Sequence, residues 1–156
     1  MNREGLMRTY VHTIYDNVID MDPGVKLPRN YDRFIGLLEQ LYEERSVPPG
    51  EKPLLSLRKC TLPELVRELG VTRVVAFSTL GKPVSVKEAC LPIVEAHAPA
   101  VLIGGFPHSH FNQTTTQLAN YVFSIDKEPL DAWVVAARVI YEYECGIQLP
   151  QKRLRA

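Results

Sequence analysis

Cysteine is scarce. Cys60, Cys90 and Cys145 are odd in number, far apart and without a CxxC pair, which argues against a disulfide framework or a zinc site built on them. The expectation is buried thiols in a reducing compartment. An excess of charge of either sign is also lacking. Eighteen basic residues balance eighteen acidic ones in 156 residues, so only a local patch, and not bulk charge, could attract nucleic acid or a membrane surface. No apolar run reaches the roughly 18 residues of a membrane span, and Met1-Asn2-Arg3-Glu4-Gly5 leads into no signal-type apolar core. A cytoplasmic protein without a membrane partner is expected. Internal repeats, low-complexity segments, G-x-G-x-x-G, P-loop and metal-ligand spacings are missing as well.

What is present is an alternation of strand, loop and helix, at a length that suits one α/β domain with a proper core. The stretch from Ala100 to Cys145 carries the most information. An apolar run from Ala100 to Ile103 ends on Gly104 and Gly105. A loop Phe106-Pro107-His108-Ser109-His110-Phe111 follows, then a polar connection through Thr114 to Gln117. A β-rich run from Tyr121 to Ile125 breaks at Asp126-Lys127-Glu128-Pro129, with Pro129 suited to the first turn of a long helix. Strand ends and a helix start carrying turn residues predict a crevice at the carboxyl edge of a sheet. Ordinary αβ connection chemistry is the alternative reading of the same residues.

Earlier in the chain, Arg8 to Thr13 and Asn17 to Met21 read as a hairpin around Tyr15-Asp16-Asn17. Phe34, Ile35, Leu37, Leu38 and Leu41 recur at helical spacing over Tyr31 to Glu44, with Asn30 as N-cap. Lys26, Arg29 and Arg33 stand at intervals of three and four. They read either as a solvated basic corner or, since helix starts prefer acidic residues, as a phosphate contact. Ser46 to Pro53 reads as a surface loop and Leu54 to Leu57 as a strand. Thr61 with Glu64 forms a capping box for a helix that ends before Gly70. Val71 to Phe77 reads as a buried strand, Ser78 to Pro83 as a loop, and Ser85 with Glu88 as the cap of a helix containing Pro92. The final helix shows a broad apolar face of Leu130, Trp133, Val134, Ala137, Ile140 and Tyr141, wide enough to meet another subunit.

Catalytic constellations are weak on pattern alone. His108 and His110 form a lone H-x-H pair without a third ligand. Ser78 and Ser109 lack a nucleophile elbow. Asp126, Glu128 and Asp131 read first as helix-start capping residues. No general base is assignable.

Linked motifs then carry a resemblance. Lys26-Leu27-Pro28-Arg29-Asn30-Tyr31-Asp32-Arg33-Phe34-Ile35-Gly36-Leu37, preceded by Tyr10-Val11-His12-Thr13 and Asp22-Pro23, resembles the signature of the nucleolar essential protein family. Members of that family, within the SPOUT superfamily, methylate N1 of pseudouridine in small-subunit ribosomal RNA. Ile103-Gly104-Gly105-Phe106-Pro107, Ser124-Ile125 and Glu128-Pro129-Leu130-Asp131-Ala132-Trp133 match its further motifs in the same order.

The resemblance implies a SPOUT-type trefoil-knotted α/β domain over residues 1–147, with 148–156 as a flexible tail. It also implies a homodimer packed through knot helices and S-adenosylmethionine as cofactor, with no metal. Gly104, Ser109, His110, Phe111 and the run Phe123, Ser124, Ile125, Asp126, Lys127, Glu128 would line the cofactor pocket, with Ser78 or Thr79 from the preceding strand end. Lys26, Arg29 and Arg33 match the family's RNA-contacting basic triad, with lysine where arginine is commoner. Asn2-Arg3-Glu4-Gly5-Leu6 resembles an interior segment of family members. The domain is therefore expected to lack the family's N-terminal strand and helix and the Arg-Pro-Asp segment linked to catalysis. Two rival readings are an RNA-binding ribosome-assembly factor that keeps the fold without methylating, and a SPOUT enzyme acting on transfer RNA.

Overall fold

The computed structural model describes residue 1, residues 4–106 and residues 110–155. The chain divides into two compact units, Met1–Leu65 and Val66–Ala156. The boundary falls within helix α2 (Leu62–Glu68).

In the first unit the expected hairpin forms from β1 (Thr9–His12) and β2 (Asn17–Met21), antiparallel with Val11 opposite Ile19. Strand β4 (Leu55–Lys59) joins β2, and the two-residue β3 (Ser46–Val47) joins β4, giving the order β1-β2-β4-β3. Alternation along the strands directs Ile19, Leu55 and Leu57 to one face, where they pack with Leu41 of helix α1 (Tyr31–Glu44). Asn30 caps α1 as expected, its Oδ1 accepting the Arg33 N–H at 3.1 Å. The expected loop from Ser46 is shorter than its sequence suggested. Val47 pairs with Leu55 and packs into the same core, so burial outweighed the neighbouring prolines. The α2 capping box is present, with the Thr61 N–H donating to Glu64 Oε2 at 2.8 Å.

The second unit holds a parallel sheet in the order β6-β5-β7, from β5 (Arg73–Pro83), β6 (Pro99–Ile103) and β7 (Tyr121–Ser124). Val75 and Phe77 of β5 and Phe123 of β7 share a core with Ala89, Cys90 and Ile93 of α3 (Val86–Val94). Val135 and Val139 of α5 (Ala132–Gly146) complete it. Ser85 and Glu88 make the predicted capping box of α3. The Ser85 N–H and hydroxyl donate to the Glu88 carboxylate and hold it below its ordinary range.

Local expectations needed correction in this unit. Ser78 to Pro83, expected as a loop, belongs to one long strand with a register shift: β5 pairs with β7 at Phe77–Phe123 and again at Lys82–Phe123. The polar connection at 114–117 is a short helix, α4 (Gln113–Leu118), because Asn112 supplies an N-cap, accepting the Thr115 N–H at 2.8 Å. Helix α5 starts at Ala132 with Asp131 as N-cap residue, so Pro129 precedes it and does not open its first turn. Residues 149–155, expected as a tail, form α6 (Leu149–Arg155), with Leu149 buried and Arg153 paired to Glu144 at 3.1 Å.

Candidate functional site

The carboxyl ends of β6 and β7 and the middle of β5 surround a cavity of about 300 Å³ in the second unit. Strand β5 contributes Phe77, Ser78 and Thr79, β6 delivers Ile103 and Gly104, and β7 delivers Phe123, Ser124, Ile125 and Asp126. The α5 approach adds Glu128, Pro129 and Leu130, and the loop after β6 adds Phe106, His110 and Phe111. This is where the parallel sheet opens a crevice, since β6 and β7 end there in loop backbone and β5 passes through its register shift between Phe77 and Lys82.

Gly104 lies against the Phe106 ring, where a Cβ would come within 2.6 Å of ring carbon Cζ. Phe106 in turn meets Phe111 edge to face at 5.6 Å between centroids. On the β7 side the buried Ser124 hydroxyl donates to the Asp126 carbonyl at 2.7 Å. Asp126 Oδ1 accepts the Glu128 N–H at 3.3 Å, and Oδ2 pairs with Arg138 of α5 at 3.5 Å. The turn is held from inside by a hydroxyl and from outside by an ion pair.

Of the residues the sequence assigned to a cofactor, Ser78, Thr79, Gly104, His110, Phe111, Phe123, Ser124, Ile125, Asp126 and Glu128 line this cavity. Ser109 lies outside the described residues. Lys127 lines a second, more open space of about 540 Å³ with Thr79, Gly81, Pro83, Val84, Ser124, Ile125 and Asp126. The sequence reading missed the apolar wall of Phe77, Ile103, Phe106, Leu130 and Val135. Their signal was present as core-type residues at strand and helix ends, but nothing local separates a core residue from one that turns into a cleft.

In the first unit Lys26, Arg29 and Arg33 are all exposed, and none makes an ion pair or side-chain hydrogen bond among the described residues. These three cations fall within eight residues, with one acid, the exposed Asp32, among them, on a chain of zero net charge. On α5, Trp133 and Tyr141 are 72% and 63% exposed, with exposed Ala137 between them on the same helix face. Cys60 and Cys90 are buried and Cys145 is half-buried, all as free thiols. Burial and the nearby Glu142 carboxylate push the Cys90 thiol up to about 11. No group of acids, histidines and cysteines that could hold a metal occurs among the described residues.

A family model described as EMG1/NEP1 methyltransferase matches residues 1–144. The ribosomal RNA small subunit methyltransferase Nep1 of Pyrococcus furiosus is 40% identical over 144 residues, covering 92% of this chain and 63% of that protein. Its counterpart from Thermococcus sibiricus is 39% identical over 144 residues, covering 92% and 64%. The crystal structure of Archaeoglobus fulgidus Nep1 bound to S-adenosylhomocysteine matches with a TM-score of 0.74 at 31% identity, covering 90% of this chain and 62% of that one. The chain spans less than two thirds of the length of these relatives. With the family model reaching from residue 1 to 144 and the parallel-sheet fold shared, the chain belongs to the EMG1/NEP1 methyltransferase family.

Proposed function

We propose that the chain transfers a methyl group from S-adenosylmethionine to N1 of a pseudouridine in small-subunit ribosomal RNA, in the course of small-subunit biogenesis. One observation carries the reading. The cavity at the strand ends is walled by the segments that bear the family motifs, Ile103 to Phe106, Ser124-Ile125 and Glu128 to Ala132. The lining suits a nucleoside-bearing sulfonium: Phe77, Ile103, Phe123 and Leu130 offer apolar faces to an adenine, while Asp126 and Glu128 offer carboxylates to hydroxyls and positive charge. The curated relatives are named as ribosomal RNA methyltransferases and the structural neighbour holds S-adenosylhomocysteine, which supports the same chemistry here.

The cofactor supplies an electrophilic methyl group. The chain's own contribution is position: aromatic and aliphatic walls exclude water, and the tied turn at Asp126 holds the mouth in one geometry, so that nucleophile and methyl carbon meet in line. Lys26, Arg29 and Arg33 would hold RNA phosphates. A trefoil knot in the second unit, a homodimer through the Trp133–Tyr141 face and a cytoplasmic location belong to the same proposal. None of the described helices is long and apolar enough to cross a membrane. Incubating the protein with cofactor and a pseudouridine-containing hairpin, followed by mass spectrometry, tests the reading. A gain of one methyl group at pseudouridine would support it. RNA binding without that gain would favour a non-catalytic ribosome-assembly factor.

A further inference from the structure

Helix α6 (Leu149–Arg155) follows residue 144, where the family match ends, and holds three cations, Lys152, Arg153 and Arg155, with no acid among residues 148–155. One side of the helix is docked on α5: Leu149 is buried, and Arg153, four residues on and so on the same side, pairs with Glu144 of α5 at 3.1 Å. Lys152 and Arg155, three residues apart, stand together on a neighbouring flank. Both are exposed, and neither makes an ion pair or side-chain hydrogen bond among the described residues. The peptide dipole favours a basic side chain in the last turn of a helix. It gives no reason for two on one exposed flank of an acid-free helix, on a chain whose charges otherwise balance. A protein interface would need an apolar core, and α6 exposes one large apolar side chain, Leu154. The flank offers charge, which is the chemistry of phosphate contact.

We infer that α6 is a second phosphate-binding surface for the RNA substrate, with Lys152 and Arg155 each meeting a backbone phosphate while Arg153 holds the helix in place through Glu144. The inference rests on the RNA reading above and adds a contact in the second unit to Lys26, Arg29 and Arg33 of the first. Phosphate contacts position an RNA without reading its bases, so uridine in place of pseudouridine leaves them intact.

Fluorescence anisotropy of the whole chain with labelled hairpin RNAs, one containing pseudouridine and one uridine, tests this across about 50 to 200 mM salt. Lys152→Gln with Arg155→Gln should weaken binding to both hairpins alike and lower the logarithmic salt slope by roughly 1.4 to 1.8, two contacts at 0.7 to 0.9 each. The exchanged variant, Lys152→Arg with Arg155→Lys, keeps both charges and should keep the wild-type slope. An unchanged slope in the glutamine variant, or an equal loss in the exchanged variant, overturns the assignment. A slope lowered by Arg29→Ala with Arg33→Ala but not by the glutamine variant keeps the RNA reading and removes α6 from it. Failure of the wild-type chain to bind either hairpin overturns the RNA reading itself, and the role of α6 with it.

Discussion

Gly81 of β5 lies against the backbone of Phe123 in β7: a Cβ at position 81 would come within 2.6 Å of the Phe123 carbonyl carbon and 2.7 Å of its nitrogen. Two main chains meet where β5, after its register shift, returns to pair with the same residue. The space that opens beside this contact is the one Lys127 lines.

Gly81→Ala therefore has no flexible side chain to push aside. Urea denaturation should show a loss of about 1–3 kcal/mol, the scale of overpacking. Gly36→Ala is the opposite case. Gly36 lies inside α1 with nothing within 4 Å of a built Cβ, and the substitution should stabilise by about 0.5–1 kcal/mol through helix propensity. Equal destabilisation by both changes would contradict the close approach.

Cys90 should be inert. Its buried thiol is held up to about 11 against an ordinary value of 9.0. The unfolded chain releases the proton first, so the stabilisation is complete below pH 9 and is lost as pH rises toward 11. The folded chain at pH 8 should take up iodoacetamide at the half-buried Cys145, and at Cys60 and Cys90 only after unfolding. Cys90→Ala should flatten the decline of melting temperature between pH 9 and 11. Rapid alkylation of Cys90 in the folded chain would contradict this.

Replacing Arg29 and Arg33 with alanine should weaken binding to a structured RNA. It should also flatten the salt dependence, by roughly 0.7 to 0.9 in logarithmic slope per lost phosphate contact. Asn30, between them, still caps α1, and neither arginine lines the strand-end cavity. The affinity for S-adenosylhomocysteine should therefore be unchanged in calorimetry. An unaltered salt slope would remove the phosphate role.

The Trp133–Ala137–Tyr141 face should be covered in a dimer. Light scattering at micromolar concentration should give twice the chain mass, and Trp133→Asp should halve it, since a charge buried in an apolar contact is strongly disfavoured. Tryptophan emission, arising from one residue at 72% exposure in the single chain, should shift to the red on dilution. A wild-type monomer would end the proposal.

Short-range chemistry was legible from residues alone. Asn30 and Ser85 cap helices where the sequence put them. The Thr61–Glu64 box, the hairpin around Tyr15 and the strand ending before Gly104 also stand as expected. The caps and the hairpin turn rest on groups within a few residues of one another, so the local sequence carries their cause, whereas β6 also needs its pairing with β5.

The sequence by itself determined the capped helices, the α/β class and the residue types gathered at the strand ends. Tertiary structure alone decided what depends on distant partners. Ser78 to Pro83 became strand and not loop because Lys82 and Pro83 found Phe123 and Ser124. Val47 became strand because Leu55 was there to pair and pack with it. Residues 149–155 became helix with Leu149 buried. The division of the strand-end residues between the cavity lined by Phe77 and Leu130 and the more open space lined by Lys127 likewise exists only once β5, β6 and β7 lie side by side. Strand pairing and side-chain burial join residues far apart in the chain, and no window of neighbouring residues contains both halves of such a contact.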